Sequence, residues 1–125
     1  PILGNKRKYN KLVMGVIVIK IATDFSRTPG ARKPEEGPYP GVEFRNQILY
    51  PRLLEAIRNG NELLVDLDGA AGYGTSFLEE SFGGLIRDNK VSYKDLKKVL
   101  KLKSDEDPTY IEEINQYIED AQKNE

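Results

Sequence analysis

The residues able to do chemistry are concentrated in one stretch. Gly72-Tyr73-Gly74-Thr75-Ser76 sets two hydroxyls directly after a glycine-rich turn, with Asp66 and Asp68 a few residues upstream. Hydroxyls, free backbone amides and carboxylates at a strand-to-helix junction are the parts of a nucleophile with an oxyanion site. They are equally the parts of a phosphate acceptor, because a helix N-terminus favours negative charge. The acid–base component is the weak one. The chain has 125 residues with no His and no Cys, which removes imidazole bases, thiol nucleophiles, disulfides and thiolate or imidazole metal sites. A carboxylate near its usual pKa of ~4 is a poor base toward a serine hydroxyl, and no Lys lies between residues 66 and 76. Catalysis is not expected, and neither is a cofactor.

The same residues have simpler roles. Ser76-Phe77-Leu78-Glu79 fits a capping box, in which hydroxyl and carboxylate reciprocally satisfy orphan amides, and this predicts Ser76 as the helix cap. The glycine turn lacks GxxxxGK[ST] and does not match GxGxxG, so it carries no nucleotide fingerprint. Asp66, Asp68, Glu79 and Glu80 could supply an oxygen-only metal site. Capping and solvation account for them more simply, and no metal is expected.

Positioning these groups requires a strand before the turn and a helix after it. Residues 62–68, Glu-Leu-Leu-Val-Asp-Leu-Asp, read as that strand, and the spacing of Phe77, Leu78, Phe82, Leu85 and Ile86 predicts a helix over about 77–87. Gly83-Gly84 would let another backbone approach it closely. Residues 16–21, Val-Ile-Val-Ile-Lys-Ile, are short and nearly all apolar, as expected of a central strand buried on both faces. Four prolines and three glycines make 25–41 a long loop, the expected moving part. Phe44, Ile48, Leu54 and Ile57 approximate helical spacing up to Asn59-Gly60, with Pro51 predicting a kink or two pieces. Ser92 caps a short helix through about Lys98, and residues 99–103 alternate like an edge strand protected by lysines. Pro108 opens a last helix with Tyr110, Ile111, Ile114, Tyr117, Ile118 and Ala121 as one stripe. The alternation gives an α/β fold: a small, mainly parallel or mixed sheet with helices packed against it. Its sites belong beyond the C-terminal strand ends, at 22–32 and 68–76.

Charge is segregated. Residues 1–34 hold eight Lys or Arg against one Asp, whereas 104–125 hold eight Asp or Glu against one Lys. The Lys6–Lys11 cluster, with Tyr9 interleaved, has the composition of a nucleic-acid patch, but two opposite charge sets can also satisfy each other. Nucleic acid is not the expected partner. The apolar run after Lys11 ends at Lys20, well short of the ~20 residues of a membrane span. A cytoplasmic, non-membrane protein is expected, with 1–13 as a flexible or extension segment ahead of a domain at 14–125.

Two long phrases, FSRTPGARKPEEGPYPGVEFR at 25–45 and VDLDGAAGYGTSFLEESFGGLIR at 65–87, resemble the STAS-like domain of unknown function, related to the STAS domains of anti-sigma factor antagonists. The closing YIEEINQYIEDA is also similar. The resemblance implies a STAS-like fold and regulatory protein binding instead of catalysis. Related antagonists carry Asp-Ser-Ser or Asp-Ser-Thr before the second helix, and its last hydroxyl accepts phosphate from an ATP-dependent partner kinase. On this chain Ser76 matches that acceptor, Thr75 the hydroxyl before it, and Gly74 stands in the place of the Asp. The implied partner is a protein such as a histidine-kinase-like ATPase, bound through the loop and helix at 68–85. Asp68, Gly72, Tyr73, Gly74, Arg27 and Arg32 are the expected contact residues. An alternative reading makes the 29–41 and 72–76 loops a small-ligand or nucleotide sensor, with Arg27, Arg32 and Lys33 holding a phosphate.

Overall fold

A computed structural model describes residues 15–125; the 1–13 extension and the Lys6–Lys11 cluster lie outside them. Strands β1 (Val16–Lys20), β2 (Glu62–Asp66) and β3 (Leu100–Lys103) form a parallel sheet in the order β1-β2-β3. Val65 stands between Ile19 and Leu102 in register. Parallel neighbours need long crossovers, supplied here by helices. These are α1 (Ile21–Asp24), α2 (residues 41–59), α3 (residues 75–87), α4 (Tyr93–Val99) and α5 (Thr109–Lys123). The fold is α/β, as the alternation predicts.

Ile19, Leu63 and Val65 form the buried row of the sheet, with Ile17, Leu100 and Leu102 packed at its margin. The central position belongs to β2. β1 was expected there, but it lies at an edge of the described sheet, with Val16 53% and Val18 49% exposed. A continuous apolar run predicts a strand but carries no period-2 signal saying which face is covered. β1 also stops at Lys20, because Ile21 begins the helical turn α1, and β2 stops at Asp66, before the expected Asp68.

The Pro51 segment resolves into one continuous helix with a wide turn. The π turn Arg45–Leu49 joins helical Gly41–Phe44 to helical Tyr50–Asn59. Pro51 cannot donate to the carbonyl one turn back and its ring clashes with it; the widened turn relieves that conflict without breaking the helix. It also shifts the register of the buried face. Phe44 and Leu49, five residues apart, are both fully buried, followed by Leu53 and Ala56 at ordinary spacing. Ile48, Leu54 and Ile57, expected to line the core, are half-buried instead. Gly60 ends α2 in the left-handed conformation at φ 71°, as its stop signal requires.

α3 repeats the device with a π turn at Glu79–Gly83. Where the two helices meet, Arg45 and Glu80 are 3% and 5% exposed. Arg45 Nη2 donates to Glu80 Oε2 at 2.6 Å and to Asp88 Oδ2 at 3.1 Å, and Nη1 donates to Asn89 Oδ1 at 2.7 Å and Asn46 Oδ1 at 3.3 Å. Nε donates to the Glu80 carbonyl at 2.9 Å. Every donor of the guanidinium is engaged. Space for it comes from Gly84, where a Cβ would sit 2.4 Å from Arg45 Nε. The close approach foreseen at Gly83-Gly84 is thus made at Gly84 by an arginine side chain, and at Gly83 the α5 backbone draws near, with the Tyr117 carbonyl oxygen 3.5 Å from where a Cβ would sit. Gly41 allows a closer backbone approach, since a Cβ there would lie 2.8 Å from the Phe77 carbonyl oxygen.

The remaining elements follow their sequence signals. Ser92 Oγ accepts the Asp95 amide at 3.1 Å and caps α4, and Lys101 and Lys103 sit on the β3 edge. Ile114, Ile118 and Ala121 bury the α5 stripe, with Tyr110, Ile111 and Tyr117 half-buried beside it.

Removing one member of a buried, hydrogen-bonded ion pair strands the other charge and costs about 3–5 kcal/mol. Arg45→Met is expected to lower unfolding stability by about that amount in urea titrations, and Arg45→Met with Glu80→Leu to recover much of it. Equal loss in single and double variants would assign the cost to packing alone.

Candidate functional site

All three strands are parallel, so their C-terminal ends and the loops leaving them share one edge of the molecule. Lys20 and Asp66, the last residues of β1 and β2, pair at 3.0 Å. Beyond them Asp68 accepts Lys103 Nζ at 2.8 Å and the amides of Glu106 at 2.9 Å and Asp105 at 3.2 Å. The lysine and then the Glu106 amide bring its carboxyl down to a pKa of about 2. The Gly69 amide donates to Glu106 Oε1 at 2.9 Å, so the glycine turn is stitched to the segment after β3.

The 67–74 turn also meets the loop after β1, because the Ala71 amide donates to the Arg27 carbonyl at 2.8 Å. This joins the two loops that the sequence assigns to one sheet end. Tyr73 anchors the turn from inside: its Oη donates to the Leu67 carbonyl at 2.7 Å, and its amide donates to Tyr110 Oη at 3.2 Å. Its ring stands edge-on to Tyr110, centroids 5.2 Å apart, and lies 5.9 Å from Phe77. Burial raises the Tyr73 phenol above its ordinary value. Gly72 adopts φ +156°, with Tyr110 Oη 3.6 Å from where a Cβ would be. Asp68, Gly72, Tyr73, Ser104, Glu106 and Tyr110 line part of a cavity of about 240 Å³ at this edge. Asp68, Gly72 and Tyr73 are thus brought together, with Asp68 held by Lys103 and the 105–106 amides and Tyr73 by Leu67 and Tyr110.

Thr75 and Ser76 are exposed, and neither hydroxyl makes a hydrogen bond among the described residues. The capping box is not formed. α3 begins at Thr75, so Gly74 and not Ser76 occupies the N-cap, without a side-chain bond. Glu79, the expected reciprocal partner, is held by two guanidiniums that outcompete a neutral amide. Arg32 Nη1 reaches its Oε1 and Arg87 Nη1 its Oε2, each at 2.5 Å. Burial alone would raise the Glu79 carboxyl, but Arg87 and Arg32 hold it below its ordinary value.

The phosphate-holding trio of the alternative reading is not assembled. Arg32 is bound to α3, adding a 3.3 Å bond to Glu80 Oε1. Arg27 contributes its carbonyl to the turn and keeps its side chain exposed, as does Lys33. Within the 25–41 loop, expected to be the moving part, Gly30 donates to the Tyr39 carbonyl at 2.7 Å and Gly41 to that of Ala31 at 2.8 Å, which draws its two limbs together. The four carboxylates weighed as metal ligands divide among Lys20, Lys103 and three arginines, and no group of three ligating side chains occurs among the described residues.

Arg45, Ser104, Glu106 and Tyr110 also shape this region and are not among the residues that the sequence marks for it. For Arg45 a signal existed, since an arginine directly after Phe44 on a buried helix face requires a buried acceptor. For Tyr110 none did, because its hydroxyl is paired with an amide 37 residues away.

A family model described as a STAS-like domain of unknown function matches residues 41–110. The chain belongs to this family. The STAS-like match runs from α2 through β2, the glycine turn, α3, α4 and β3 to the start of α5. The 25–40 loop and most of α5 lie outside it. No curated protein and no solved structure matches the chain. Among the described residues, no helix is long and apolar enough to cross a membrane.

Two outcomes follow from the geometry. The Asp68 pKa lies below the ~3.9 of an unfolded aspartate, so its contribution to stability is complete above about pH 4 and is lost as pH falls toward 2. Asp68→Asn should flatten the stability profile in that window; an unchanged profile would reject the assignment. Ser76→Ala should change stability by less than about 0.5 kcal/mol, against the ~1 kcal/mol loss of a true N-cap.

Proposed function

We propose that this STAS-like domain is a non-catalytic, cytoplasmic regulatory module that docks a protein partner through residues 68–85 and is switched by phosphorylation of Ser76. The observation that carries the reading is the pair of exposed, unspent hydroxyls of Thr75 and Ser76 beside a turn whose Asp68 carboxylate and Tyr73 hydroxyl are both engaged. A phosphate on Ser76 adds ≈ −2 charge to a docking face that is otherwise fixed. Gly74 stands where related antagonists hold an Asp. A Cβ there meets nothing within 4 Å, so the face accepts an acidic neighbour without distortion.

Catalysis has little support. Asp66 and Asp68 are committed to Lys20 and Lys103, and a carboxyl titrating near pH 2 takes up a hydroxyl proton poorly. Ligand sensing between the 29–41 and 72–76 loops has less support, since the other two cations of that reading, Arg27 and Lys33, keep their side chains exposed.

The test is affinity capture from the source organism with wild type, Ser76→Ala and Ser76→Asp. Wild type and Ser76→Ala should retain the same protein, such as a histidine-kinase-like ATPase, and Ser76→Asp should lose it. Absence of reproducible capture by any form would sink the partner-binding reading. Purified protein should show no hydrolysis of acyl, phosphoryl or glycosyl substrates; turnover abolished by Ser76→Ala with the fold intact would overturn the non-catalytic assignment.

A further inference from the structure

Arg32 fastens the 25–40 loop to α3 through one nitrogen. Its Nη1 donates to Glu79 and Glu80, while Nε and Nη2 donate to nothing among the described residues, and the side chain is 32% exposed. A guanidinium presents its donors as a rigid planar fork matched to oxyanions, so an edge of Arg32 suited to bidentate binding is unspent. Ser76 lies three and four residues before Glu79 and Glu80. Side chains at those spacings share a helix face with Cβ atoms ~5–6 Å apart. The carboxylates that hold Arg32 and the free hydroxyl of Ser76 therefore lie along the same face of α3.

The carboxylates can release Arg32 without being orphaned. Glu79 keeps Arg87, whose Nη1 and Nη2 reach it at 2.5 and 3.3 Å. Glu80 keeps the buried Arg45 at 2.6 Å. A phosphate carries more charge than either carboxylate, with three acceptor oxygens. Left unpaired, it would also stand one turn from two like charges.

We propose that Arg32 is the receptor for phosphorylated Ser76: the phosphoryl group takes its free edge and draws it from Glu79 and Glu80, moving the 25–40 loop with it. This rests on the reading of Ser76 as phosphoacceptor and deepens it from a change of surface charge to a change of loop position. In the transfer, the Ser76 Oγ bonds to the γ-phosphorus of a nucleoside triphosphate. The bond from that phosphorus to the β–γ bridging oxygen breaks, the nucleoside diphosphate departs, and the hydroxyl proton passes to a base of the kinase.

The test needs neither kinase nor partner. Phosphoserine is installed at position 76 during synthesis of the chain, and its second ionisation is followed by phosphorus NMR. It should titrate at least about half a pH unit lower in the parent than in Arg32→Gln, with Arg32→Lys between them, and Arg27→Gln should match the parent. In the parent itself the Arg32 Nε–H signal should move with the same midpoint, and the amides of Ala31, Arg32, Lys33, Glu35 and Glu36 should shift on phosphorylation. An Arg32 signal that ignores the phosphate, or equal midpoints in parent and Arg32→Gln, would overturn the proposal. Failure to capture a partner would leave these shifts standing, so the two readings fail separately.

Discussion

The buried contact between Arg45 and Glu80 sets the geometry on which the rest of the domain depends. Two charges taken out of water are tolerated only when every donor and acceptor is paired. The fivefold engagement of the Arg45 guanidinium meets that demand. It also dictates where α2 and α3 lie, since each enters the contact through a π turn and Gly84 leaves room for the side chain. A hydrophobic contact could hold the helices together, but it would not fix their rotation so narrowly. Because α3 begins only a few residues earlier, that rotation also fixes which way Thr75 and Ser76 face.

From this contact an electrostatic chain runs outward. Glu80 is shared between Arg45 in the interior and Arg32 at the surface, and Glu79 between Arg32 and Arg87. The inner pair is strongly desolvated and resists exchange, whereas Arg32 is partly solvated and its bonds are correspondingly cheap to rearrange. Stability and adaptability are thus separated within one network. Around Asp68 there is no such gradient: Asp68, Lys103 and the 105–106 amides form one hydrogen-bonded set that anchors the turn.

Two departures from sequence expectation share this origin. Ser76-Phe77-Leu78-Glu79 has the composition of a capping box, and in an isolated helix Glu79 would have only the backbone to bind. In the folded chain Arg32, 47 residues away, and Arg87 supply charged donors instead, and the helix starts earlier. Likewise the sequence offers Arg32 as a partner- or phosphate-contacting loop cation, and only its position over α3 commits it to Glu79 and Glu80. The register of α2 departs for a local reason, the proline, whose remedy depends on a π turn that residue periodicity does not encode.

By itself the sequence determined the alternation of strands and helices, the glycine turn between a strand and α3, the buried stripe of α5, the Ser92 cap and the STAS-like kinship. Each of these depends on residues close along the chain, where propensity and spacing act directly. Only the tertiary structure decided that β2 rather than β1 is central, that Tyr110 closes the turn at Tyr73, and that Arg45 meets Glu80 beneath Gly84. It also left the hydroxyls of Thr75 and Ser76 unspent. Those outcomes are competitions among partners tens of residues apart, settled by which charged or aromatic group reaches an acceptor once the chain has folded, and no local pattern records the winner.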